Sequence, residues 1–204
     1  MSTASSLGAL IQSVSKERSL SKALDLISHN TLAITGSGHV MVAMLNEEEG
    51  LLEVSYGAGK QFADRAKNLK LQIGGDVGII AYVAATGDAV LSNNVREEPR
   101  YHVRFESTAS EIAVPIKDTY GRMRGVLNLE AERLDAYTDD HLQAAKGLAA
   151  LAAMIIERED HAKREEALVE IGSALDSALT EQAWQDMNRP RDGDRPRMVA
   201  STAS

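Results

Sequence analysis

Apolar residues divide the chain by the period at which they recur. Leu7, Leu10, Ile11 and Val14 return at helical steps, as do Leu20, Leu24, Ile27 and, less regularly, Leu32. The spacing predicts two amphipathic helices, or one helix with a break near Ser19. Gly36, Ser37 and Gly38 close the helical region. His39 to Leu45 then reads as a strand, Asn46 to Gly50 as a polar turn and Leu51 to Tyr56 as a second strand, a hairpin broken by Gly57 and Gly59. Gln61 to Asn68 fits a short helix, and Leu69 to Ile73 alternates like a third strand. An apolar helical stretch from Val77 to Ala85 follows, with Asp76 as its cap and Gly87 as its stop. Ala89 to Ser92, Glu111 to Lys117 and Arg124 to Ala131 read as strands, and Asn93 to Ser110 as an irregular stretch.

The last third is helical again. Asp135 to Thr138 caps a run with apolar positions at Leu142, Ala145, Leu148, Leu151, Ala152, Ile155 and Ile156. Glu157 to Glu166 is almost wholly charged and reads as a solvated connector. Apolar steps resume at Leu168, Ile171, Leu175 and Leu179. From Thr138 to Ala183 an unbroken helix would be about 70 Å long. Such a stripe needs another helix to cover it, in this chain or in a second copy. Hairpin-spaced strands between helices predict an α+β fold with an antiparallel sheet.

Composition changes the picture in three ways. The chain has no cysteine, which excludes thiol catalysis, disulfides and thioether-attached chromophores. A formal net charge of −8 argues against a nucleic-acid partner. No apolar run approaches the roughly 20 residues of a membrane span, and no signal-like start precedes the first helix, so a cytoplasmic protein with no membrane partner is expected. From Gln185 the chain turns to Asp, Arg, Pro and small polar residues, and residues 185–204 are expected to be disordered.

Three segments, taken together, resemble a GAF domain. The first is Gly75-Asp76-Val77-Gly78 leading through Tyr82 to Val83-Ala84-Ala85-Thr86-Gly87. The second is Asn94-Val95-Arg96-Glu97-Glu98-Pro99-Arg100-Tyr101, with Glu98 where the family usually has Asp. The third is Ser110-Glu111-Ile112-Ala113-Val114-Pro115-Ile116, followed by Gly125-Val126-Leu127-Asn128-Leu129-Glu130. The resemblance implies a central antiparallel sheet with terminal helices on one face and a ligand pocket on the other. It divides the chain into an N-terminal helix (1–19), a GAF-like sensor domain (20–157), a signalling or linker helix (158–184) and the tail. It names no cofactor. The bilin-binding and methionine-sulfoxide-reductase branches use cysteines that this chain lacks, and no histidine matches a haem ligand.

Side chains alternate faces along a strand. Ile112, Val114 and Ile116 therefore share one face with Leu127 and Leu129, and Glu111, Asn128 and Glu130 share the other. That mixed face suits a small-molecule site, although the same polar groups could bond neighbouring backbone or water. The irregular stretch adds Asn94, Arg96, Arg100, Tyr101, His102 and Arg104, and the adjoining helix adds Tyr82. Arg96, Arg100 and Arg104 would share a face if the stretch closed into a helical turn. Beside a helix N-terminus they would favour an anion. Glu97, Glu98 and Glu106 would equally neutralise them on a solvated surface.

His29, His39, His102, His141 and His161 have no metal-ligand spacing, and no nucleophile sits with a base, so neither a metal nor a catalytic residue is expected. His29 and His39 border predicted elements and read as structural or exposed. The expected function is a regulatory module of a signal-transduction protein. It binds a small molecule, pairs as a homodimer through its terminal helices and passes the signal to a downstream domain. A ligand-free dimerisation scaffold is the alternative, and a small enzyme on the same fold a more distant one. For pairing, the stripes Leu7–Val14 and Leu142–Ile156 are the expected surface, unless they cover each other within one chain.

Overall fold

A computed structural model describes residues 3–59, 68–73, 78–103 and 106–187 of the chain. The helix expected from Gln61, the Asp76 cap, Arg104, Phe105 and the tail beyond 187 fall outside them. The chain divides into two compact units, Met1–Glu159 and Asp160–Ser204.

The first unit opens with helices α1 (Thr3–Lys16) and α2 (Leu20–Thr35). The break falls at Ser19, which caps α2 by accepting a bond from the Lys22 amide at 3.4 Å. Gly36 ends α2 in the left-handed region, φ 64°, a conformation that favours glycine. Between the helices and the chain's long last helix, α4 (Asp139–Met187), lie six strands: β1 (His39–Asn46), β2 (Leu51–Gly59), β3 (Lys70–Gln72), β4 (Val90–Ser92), β5 (Ser110–Lys117) and β6 (Met123–Ala131). They form one sheet in the order β3-β2-β1-β6-β5-β4, and each pair is antiparallel.

The sheet separates two apolar clusters. On one face Val40, Val42, Ile112, Val114, Ile116, Leu127 and Leu129 pack with Leu10, Val14, Leu24, Ile27, Leu148, Ile155 and Ile156 from the helices. On the other, Met41, Ala43, Leu52, Val54, Ala113 and Val126 meet Ile79, Ile80, Val83 and Ala84 of helix α3 (Ile79–Thr86). The division of Ile112, Val114 and Ile116 from Ala113 follows the strand period. In β2 the period is reset: Val42 pairs Tyr56 and Ala43 pairs Val54, so Ser55 is an extra residue. That bulge puts Val54 with the second cluster while Tyr56 packs against the first.

Two expectations change. Gly57 does not end β2, which runs on to Gly59. A Cβ on Gly59 would overlap the Gly38 carbonyl oxygen, so glycine there permits close strand approach. Helix α3 starts at Ile79, two residues later than expected, with Gly78 at its N-cap and no side-chain cap bond.

A third expectation is corrected. The stripes Leu10–Val14 and Leu148–Ile156 are not left facing water: Leu10, Val14, Leu148, Ile155 and Ile156 are all buried in one core within the chain. The Arg158 guanidinium also donates to the Ser15 and Glu17 carbonyls, at 3.5 and 2.5 Å, fixing the end of α1 against α4. Ile11 and Met154 remain exposed, at 44% and 64%. The second unit, over its described residues, is helix with Leu168, Val169, Ile171, Leu175, Leu179 and Trp184 exposed. The charged interval does not interrupt the helical run of α4. No described helix is long and apolar enough to cross a membrane.

Candidate ligand-binding face

The face of the sheet away from the terminal helices carries a row of polar side chains. His39 on β1 pairs in register with Glu130 on β6, Glu130 with Glu111 on β5, and Glu111 with Ser92 on β4. All four are buried, with Glu111 at 4% and Glu130 at 5% exposure. One step along, Asn128 pairs with Met41 and Ala113 and is fully buried. Glu111, Asn128 and Glu130 thus share the face that the alternation places them on.

Bonding within the row is specific. Asn128 Nδ2 donates to Glu130 Oε1 at 3.1 Å, and Thr108 Oγ1 donates to Glu130 Oε2 at 2.5 Å. Both Glu130 oxygens are thus engaged within the row. Asn128 Oδ1 is buried and meets no donor among the described residues. Burial pushes the Tyr101 phenol above its ordinary pKa. The Glu130 and Glu111 carboxyl groups add to that rise, and a hydrogen bond with Thr108 opposes it. Tyr101 is therefore within electrostatic reach of both carboxyl groups. Burial lowers His39 below the usual imidazole value, against the opposing charge of Glu132.

The irregular stretch forms tight turns and not a helical turn. Glu97 N–H bonds the Asn94 carbonyl, Glu98 N–H that of Val95, and Tyr101 N–H that of Glu98. The Asn94 side chain accepts the Arg96 amide at 3.2 Å, which gives it a turn-forming role. Glu98 holds Arg100 by both side-chain oxygens, to Nε and to Nη2, and the guanidinium lies 4.4 Å from the Tyr82 ring centroid. Arg96 donates to the Glu106 carbonyl at 2.8 Å and lies 5.9 Å from the Tyr101 ring centroid. The expected shared arginine face is not formed by Arg96 and Arg100, whose guanidiniums are engaged by these neighbours. His102 is exposed, near Gly78.

Sequence reasoning missed His39, Ser92 and Thr108. His39 is buried, the structural one of the two alternatives expected for it. Its place one residue before Val40 in the alternating strand was the available signal. Thr108 has no periodic signal, because it lies on the irregular stretch. An open cleft of about 400 Å³ lies elsewhere, at the end of the β1–β2 hairpin beside Glu47, Glu48 and Glu53, and none of the expected site residues lines it. Among the described residues no group of three His, Cys, Asp or Glu side chains is placed to hold a metal ion.

An antiparallel sheet with the terminal helices on one face, and α3 with a buried polar row on the other, is an α+β arrangement. The family profile described as GAF domain matches residues 17–157, and the chain belongs to that family. Solved structures share the fold. The GAF domain of an Acinetobacter phosphoenolpyruvate-protein phosphotransferase is 17% identical, with 79% of this chain and 97% of that one covered and a TM-score of 0.69. Free methionine-R-sulfoxide reductase from Neisseria meningitidis, in complex with its substrate, is 20% identical, with 76% and 89% covered and a TM-score of 0.68. A methyl-accepting chemotaxis protein, residues 122 to 287, is 17% identical, with 73% and 95% covered and a TM-score of 0.62. No curated protein matches the chain. The same fold thus occurs in a phosphotransferase, a reductase and a chemotaxis protein.

Proposed function

We propose that this chain is the regulatory small-molecule-binding and dimerisation module of a signal-transduction protein. The observation that carries the reading is the buried polar row His39, Glu130, Glu111 and Ser92 with Asn128 beside it. Beside the row, the buried Asn128 Oδ1 meets no donor among the described residues, and a ligand is one way to satisfy such a group. Tyr82, Tyr101 and Arg96 would line the approach, and Arg100 and His102 its rim. Binding without turnover is the proposed activity. The methionine sulfoxide reductases share the fold, but this chain has no cysteine.

Native mass spectrometry of protein purified from cells tests the reading. A retained small molecule, or a rise in Tm with a member of a metabolite library, is expected, because a ligand that binds only the folded state stabilises it. An empty face that ignores the library leaves the dimerisation scaffold. The purified protein is also expected to be colourless, and a stoichiometric visible absorption band would contradict that.

Pairing is proposed through what the core leaves exposed: Ile11 and Met154 in the first unit, and Leu168, Ile171, Leu175 and Leu179 in the second. An exposed apolar patch marks an association surface, and a symmetric pair is the commonest outcome. Sedimentation at rising concentration should give twice the 22.0 kDa chain mass. The double variants Ile11→Glu/Met154→Glu and Leu168→Glu/Leu175→Glu should each weaken it while the fold survives. A mass of 22.0 kDa at all concentrations would defeat the dimer.

A further inference from the structure

We infer that Glu157 and Arg158, adjacent residues of α4, form a two-sided latch. It ties the β5–β6 turn and the end of α1 to one turn of α4, so that the three loosen together. The coupling belongs to the first unit alone. Its use in passing a signal into α4 rests on the reading of this chain as a regulatory module.

The β5–β6 turn is bonded as a block. The Asp118 N–H donates to the Arg122 carbonyl, and the Gly121 N–H to that of Asp118. The buried Asp118 side chain accepts the Tyr120 and Arg122 amides on Oδ1, at 3.0 and 2.8 Å, and the Arg122 guanidinium on Oδ2, at 2.6 Å. The Thr119 amide leaves that set and donates to Glu157 Oε1 at 2.6 Å, and the Thr119 hydroxyl donates to the same oxygen at 2.8 Å. One carboxylate oxygen on α4 thus holds the turn by backbone and side chain. β5 and β6 pair from Ser110↔Ala131 to Lys117↔Met123, so the block is the tip of the hairpin that carries Glu111, Asn128 and Glu130.

Arg158 serves α1. The helix ends at Lys16, and the last carbonyls of a helix lack partners within it and carry partial negative charge. The Arg158 guanidinium donates to those of Ser15 and Glu17. Successive residues of a helix point about 100° apart, so neighbours on α4 can reach two different elements. Ile155 and Ile156, just before the latch, are the last apolar side chains that α4 buries among the described residues. The latch therefore lies where apolar packing gives way to polar bonds at the surface. Such a segment opens at lower free energy than the core.

Amide exchange in the isotopically labelled full chain, followed by NMR, tests the coupling. The Thr119 amide reports on the turn, and the Lys16 and Glu17 amides on the end of α1. Glu157→Ala and Arg158→Ala both keep a strong helix former in α4. Arg158→Ala, which removes no contact to the turn, is expected to speed exchange at Thr119 about fivefold, the effect of one lost hydrogen bond on a shared opening. Glu157→Ala should speed Lys16 and Glu17 by a similar factor. Glu157→Gln, which keeps an acceptor oxygen, should restore part of the protection. The amides of Ile27 and Leu148, in helix interiors, should keep wild-type rates. Acceleration confined to the element each side chain touches would overturn the latch and leave two separate surface contacts. Acceleration at Ile27 and Leu148 as well would overturn it in favour of a loss of global stability. No ligand enters the experiment, so its failure leaves the binding reading to native mass spectrometry.

Discussion

A Leu148→Ala variant is expected to lose about 3 kcal/mol of stability, within the range of about 2–5 kcal/mol for buried Leu→Ala changes. For a unit of this size that lowers Tm by roughly 6–12 °C. Leu148 is fully buried in the cluster that joins α4 to Leu24 and Ile27 of α2 and to Val114 and Leu127 of the sheet. Truncation leaves a cavity that strands on one side and helices on the other cannot close without moving. Met154→Ala, further along the same helix, should change the folding free energy of the monomer by no more than about 0.5 kcal/mol. Met154 is 64% exposed, and its loss should be read in association instead. Urea melts of both variants, at a concentration where neither associates, make the comparison. Equal losses would show that the exposed and buried faces of α4 are assigned wrongly.

That pair also shows what periodicity can convey. The apolar steps of α4 mark a face to be covered, but they do not name the cover. Leu148, Ile155 and Ile156 find it in their own chain, against α1, α2 and the sheet, because β1, β5 and β6 present Val40, Ile112 and Leu129 to the same cluster. Non-local packing of this kind has no local signal.

The strand faces were legible for the opposite reason. Alternation is local, so it separates Ile112 and Leu127 from Glu111, Asn128 and Glu130 whatever strands lie alongside. Cross-strand register was not legible. It alone brings His39 opposite Glu130 and Glu130 opposite Glu111. The arginine reading failed on geometry that sequence spacing does not carry. Arg100 folds back onto Glu98, two residues earlier, in a turn and not along a helix. The Glu98 position of the resembling motif is explained by the same contact: its carboxyl group accepts both the backbone amide and the guanidinium of Arg100.

A Gly125→Ala variant is expected to lose about 3 kcal/mol, the upper part of the range for forcing an extra methyl into packed surroundings. Gly125 lies on β6 between Met44 of β1 and Ile116 of β5, inside the sheet. A Cβ there would overlap the Ala43 carbonyl oxygen and stand 3.3 Å from both the Ala43 carbonyl carbon and the Met44 Cα. All three are backbone atoms, so no side-chain rotation relieves the contact, and β1 and β6 must separate locally. The backbone angle plays no part, since Gly125 is not among the glycines with positive φ. Gly121→Ala is a useful contrast. It sits in the β5–β6 turn at φ 79° with nothing within 4 Å of the added carbon, so its loss comes from backbone conformation alone, about 1–2 kcal/mol. Hydrogen exchange separates the two cases. Gly125→Ala should speed exchange along the β1–β6 ladder, while Gly121→Ala should affect only the turn. Wild-type protection along that ladder in Gly125→Ala would show that β1 and β6 approach less closely than the structure places them.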